Sequence, residues 1–178
     1  MTDPLTPPVS RAAIAEDGPV TVSVQANEDQ CQALAQRFGL LDLADLSADV
    51  TVTAIDGPGV RVTGHLQART TQPCVVTHSP VTETVVDDFA LRLMPEAKVV
   101  AIEEEVIMDP DADELDVLDS DDVDLSEIIA QSLSLALNAY PRAPGAELPD
   151  AVKPDTQNDQ DDPAMNPFAV LKNLKDDP

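Results

Sequence analysis

The chain has 178 residues, with 34 acidic against 10 basic side chains, a formal charge of −24, no Trp, one Tyr and three Phe. So large an acidic excess leaves no broad basic surface for phosphate, and the scarcity of aromatics removes base stacking. Two cysteines are too few for a disulfide framework or an all-cysteine zinc site, and no apolar run approaches the ~20 residues of a membrane-spanning helix.

Residues 1–10, with Pro4, Pro7 and Pro8, read as a flexible arm. Met1-Thr2-Asp3-Pro4 has neither the cationic start nor the apolar stretch of a secretory signal, so a cytoplasmic location with reduced thiols is expected. Val20, Val22 and Val24 alternate with Thr21 and Ser23, the period of a half-buried strand. Asn27 and Gln30 form a capping box for a helix carrying Cys31, Leu34, Ala35 and Phe38, which Gly39 ends. Val50–Ile55 and Val60–Ala68 alternate on either side of Asp56-Gly57-Pro58-Gly59, which predicts an antiparallel hairpin. Its second strand puts Arg61, Thr63, His65, Gln67 and Arg69 on one face. A third run follows over Val81–Leu93, joined by Pro73–Pro80, and Val99–Ile107 is a candidate further strand. Asp124 and Glu127 start a helix with an apolar stripe of Leu125, Ile128, Ile129, Leu133, Ala136 and Leu137, ended by Pro141. The expected fold class is α+β: an antiparallel meander or open barrel over 11–140 with two packed helices and an acidic loop. Residues 141–178 read as a Pro-rich acidic tail, disordered apart from a short amphipathic element over 167–174.

Three features invite chemistry. Cys74 and His78 lie four apart, but zinc wants four ligands and only Cys31, His65 and carboxylates remain to complete a set. A nucleophilic cysteine needs an oriented base, for which no motif speaks. The favoured reading is a thiol in a turn. Glu103–Asp124 holds twelve acids and no base, half of the net charge. Its Asp109, Asp111, Asp113, Glu114 and Asp116 lack the central Gly and terminal Glu of an EF-hand, which leaves a solvated loop or an electrostatic docking surface. Phe168, Leu171 and Leu174 share one helical face and either dock a partner or fold back on the core. No phosphate loop, catalytic triad or paired-carboxylate pocket is suggested. No enzyme, cofactor or small-molecule substrate is expected.

Three segments together resemble the YceD family, the large ribosomal RNA subunit accumulation proteins, in an alphaproteobacterial-like form. They are Gly64–Ala68 with Thr71–Val81, then Val123–Arg142, then Asn166–Leu174, similar to the family's cysteine turn, acidic lead-in and helix, and C-terminal signature. Cys74, Thr77 and Pro80 mark the turn, with Thr77 where many members carry a second cysteine. The resemblance implies a role in 23S rRNA accumulation and large-subunit assembly, and carries over no catalytic residue. Combined with the charge, it suggests docking of a basic ribosomal or assembly protein through the acids named above, with Phe168 and Leu171 as anchors. The alternative is direct contact with an rRNA precursor through Arg61, His65 and Arg69. No membrane contact is expected.

Overall fold

Alternating Val and Thr over residues 48–54 cannot bury two faces at once, so this stretch forms a sheet with one apolar and one polar side. The computed structural model describes residues 3–55, 57–95, 113–118 and 120–147. The chain divides into two units, Met1–Pro144 and Gly145–Pro178, and every element below lies in the first. The elements run β1 (Val9–Ser10), α1 (Arg11–Asp17), β2 (Val20–Gln25), α2 (Glu28–Phe38), β3 (Asp42–Ala54), β4 (Val60–Pro73), β5 (Pro80–Met94), β6 (Glu114–Val117), β7 (Asp122–Val123) and α3 (Leu125–Ala136).

Strands β2 to β5 form the expected antiparallel meander, and β6 adds in parallel to β5, giving an open sheet ordered β2-β3-β4-β5-β6. Val50, Val52, Val62 and Leu66 are fully buried on its inner face, against Ile14 of α1, Cys31 and Ala35 of α2, and Ile129 and Leu133 of α3. Gly64 on β4 sits opposite Phe89 on β5. A Cβ at this glycine would lie 2.3 Å from the Phe89 ring, so the aromatic covers the glycine.

The apolar phase of β3 slips once: Leu43 is buried, then Leu46, Ala48, Val50 and Val52. A register shift between Ala44 and Ser47, with Asp45 at φ 56, absorbs the extra residue and keeps both leucines inward. On α2 the capping box is complete, since Asn27 Oδ1 accepts from Gln30 N–H and Gln30 Oε1 from Asn27 N–H, both at 2.9 Å. Gly39 closes the helix in the left-handed region. Asp124 caps α3 through Ser126 and Glu127 N–H.

Five expectations change. Three helices are described, because the short α1 buries only Ile14 and shows no periodic stripe. Glu127 completes no capping box on α3 but reaches Arg37 of α2. That helix stops at Ala136, before Pro141. Part of the acidic segment forms β6 and β7, because Leu115, Val117, Leu118 and Val123 interleave with its acids and turn inward. The stretch read as a flexible arm is tied down by Gln30 Nε2 to Pro4 O (2.8 Å), Thr6 N–H to Ser126 Oγ (3.1 Å) and the β1–β7 pair. The candidate strand at Val99–Ile107 and the tail element at 167–174 lie outside the described residues.

Candidate functional site

Strand alternation places Arg61, His65 and Arg69 on the polar face of β4, as the pattern requires, and all three are exposed. An acid stands against each, and only for His65 is it the strand-register partner. Arg61 grips Asp113 with both branches, Nε to Oδ2 at 2.6 Å and Nη2 to Oδ1 at 2.9 Å. His65 Nδ1 lies 2.7 Å from Oδ1 of Asp88, its cross-strand partner on β5. Arg69 Nε donates to Asp45 Oδ2 at 3.0 Å. The Arg61 hydrogen bonds hold the Asp113 carboxyl below the usual carboxylate range against the opposing effect of burial, and the charges of Arg61 and Arg92 pull the same way. Arg37 pairs with Glu127 at 2.6 Å and Arg11 with Asp121 at 3.5 Å. Of the six arginines, four therefore stand in ion pairs and Arg92 lies in the field of Asp113. All four lysines (98, 153, 172 and 175) fall outside the described residues.

The acids proposed for docking divide. Asp113, with only 18% of its side chain exposed, is occupied by Arg61. Glu114 and Asp116 stand exposed on β6, and Asp116 Oδ1 also accepts the Val117 N–H at 2.7 Å. Asp109, Asp111, Phe168 and Leu171 lie outside the described residues.

The turn after β4 is built around Cys74. Pro73 pairs with Pro80, Cys74 N–H donates to Ser79 O at 2.8 Å, and His78 N–H returns to Cys74 O at 2.9 Å with His78 at φ 59. The fully buried Sγ receives N–H groups from Val76 (3.4 Å), Thr77 (3.4 Å) and Ala143 (3.3 Å). The Thr77 hydroxyl has two acceptors within reach, Ser79 Oγ at 3.2 Å and the sulfur. Hydrogen bonding from Thr77, then from Ala143 N–H, brings the Cys74 thiol down to about 6 although burial opposes it. Cys31 is raised instead, because burial outweighs its one backbone hydrogen bond from Leu46 and the charges of Asp42 and Asp45 push the same way as burial. A thiolate held this way is satisfied by the Thr77 hydroxyl and by backbone dipoles. Thr77 stands where a second cysteine would, and among the described residues no three His, Cys, Asp or Glu side chains are grouped to hold a metal ion. Val75 N–H also bonds Pro141 O at 2.9 Å, so the turn and the chain leaving α3 form one knot.

Sequence reasoning did not pick out Asp45, Asp88 or Ala143. Asp45 reaches Arg69 only because of the bulge, Asp88 only through the β4–β5 register, and Ala143 only because the chain folds back after α3. None of these has a local signal.

The family model for YceD, described as large ribosomal RNA subunit accumulation protein YceD, matches residues 62–175. That is well over half of the chain. The chain belongs to the YceD family. The match opens in β4 and takes in the Cys74 turn, β5 and α3, so the turn and its α3 exit that meet in space are both within the YceD region. No curated protein and no solved structure matches the chain. The YceD name ties the protein to accumulation of the large ribosomal RNA and thus to ribosome biogenesis. Among the described residues no helix is long and apolar enough to cross a membrane.

Proposed function

We propose that this protein is a non-catalytic, cytoplasmic factor that supports 23S rRNA accumulation by docking a basic ribosomal or assembly protein. The observation that carries this reading is the pairing of the polar face of β4: Arg61 and Arg69 each form an ion pair with a carboxylate and His65 bonds Asp88, while Glu114 and Asp116 stay exposed. Contact of that face with an rRNA precursor would have to break these pairs against the repulsion of a chain at −24. A basic protein meets no such barrier, and is steered by the same field toward the acids. Such a factor would keep a basic protein from indiscriminate RNA binding and yield it to rRNA, the stronger polyanion.

The test replaces Asp109, Asp111, Glu114 and Asp116 together with their amides, leaving Asp113 to hold Arg61. Purified large-subunit ribosomal proteins are then offered to the full chain. The expected result is capture of one or more basic proteins by the wild type and its loss in the variant. Unchanged capture, or binding of rRNA alone with a salt dependence that Arg61→Gln and Arg69→Gln remove, overturns the proposal.

A further inference from the structure

The two edges of the five-stranded sheet are treated differently. β6, Glu-Leu-Asp-Val, is four residues long, carries two carboxylates and uses Asp116 to satisfy the N–H of Val117. Short length and charge are the ordinary protections of an edge strand. β2, Val-Thr-Val-Ser-Val-Gln, has no charge, proline or glycine over six residues, in a chain where a quarter of the residues are charged. It is the other end of the sheet. Ala26 N–H bonds Leu46 O at 2.9 Å and continues the β2–β3 register. Antiparallel pairs alternate, so Val20, Val22 and Val24 direct their amides to β3, and Thr21, Ser23 and Gln25 direct theirs outward. Among the described residues no hydrogen bond meets these outward groups. Val20 and Val22 are only half-buried, so their inner-face side is also incompletely covered.

The surroundings select the occupant. Glu16 and Asp17 precede β2, and Glu28 and Asp29 follow it. Asp49 lies one strand in, bonded to Ser23 Oγ at 2.5 Å. At its Gln25 end the strand opens into a groove of about 860 Å³, with Glu28, Asp29 and Asp42 on its walls beside Leu40 and Leu41, and with Asp45 there already paired to Arg69. A second copy of a chain at −24 would be repelled here, whereas a cationic chain is attracted. We propose that the outer edge of β2 takes an extended basic segment of the docked protein as an added strand, apolar side chains over Val20 and Val22 and basic ones toward the acids. This rests on the reading of a basic protein partner and gives its mode of attachment: main-chain hydrogen bonds for affinity and alternate side chains for selection.

The experiment uses the full chain and a synthetic heptapeptide alternating lysine and valine, with a glutamate–valine peptide and a backbone N-methylated lysine–valine peptide as controls. Ser23→Pro removes an outward N–H and leaves the β3 ladder intact, a position where an edge strand tolerates proline. Thr21→Lys is the second variant, should Ser23→Pro fail to fold. The lysine–valine peptide is expected to bind, slow amide exchange at Thr21, Ser23 and Gln25, and lose about tenfold in affinity in either variant. Equal binding of the N-methylated peptide, protection elsewhere, or a self-association that Ser23→Pro abolishes overturns the inference. If Ser23→Pro leaves capture of ribosomal proteins intact while the acid-to-amide variant loses it, this edge is dismissed and the basic-partner reading stands. If the wild type captures no basic protein at all, that reading falls on its own account.

Discussion

Cys74 shows how the Thr77 hydroxyl, together with three backbone N–H groups, can hold a buried sulfur in its charged form. Its thiol titrates at about 6, below its ordinary value of 9.0. Between those limits the folded state releases a proton that the unfolded state keeps, so stability rises with pH over this window and is lost as pH falls through about 6. Cys74→Ser keeps an acceptor for the N–H groups but does not ionise. Urea unfolding of the two proteins across this range is expected to show a pH slope in the wild type that the variant lacks; parallel curves would mean that the thiolate is not held. Position 74 is legible as a turn cysteine from the sequence. Its donors are not, because Ala143 arrives from a distant part of the chain.

Among the elements, the strands and α2 are the most legible. Val/Thr alternation and the Asn27–Gln30 box are local signals, and both are realised as written. The bulge at Asp45 and the strand character of Glu114–Val117 are not local, since each depends on what a neighbouring strand needs covered. Gly64 is a further case. In sequence it interrupts an apolar face, but in the sheet it makes room for Phe89. Gly64→Ala is therefore expected to destabilise the protein by about 1–3 kcal/mol, measured by chemical denaturation, because the ring has to move from its packed position. If Gly64→Ala is neutral or stabilising, Phe89 does not depend on that space.

For the molecule as a whole, 34 acids against 10 bases make self-repulsion larger than the attraction in its few exposed ion pairs. Raising salt from about 0.01 to 1 M shortens the screening length from about 30 to about 3 Å. The melting temperature is expected to rise over that range; a fall would show that the ion pairs outweigh the repulsion. The sequence by itself determined the α+β class, the meander, the capping of α2 and the family, because these follow from periodicity, turn chemistry and motif order along the chain. Only the tertiary structure decided that Arg61, His65 and Arg69 are each matched by an acid, that Cys74 meets Ala143, and that β2 is left as an uncharged edge. Those outcomes rest on register and chain return, which place distant residues within a few ångströms of one another and leave no trace in local spacing.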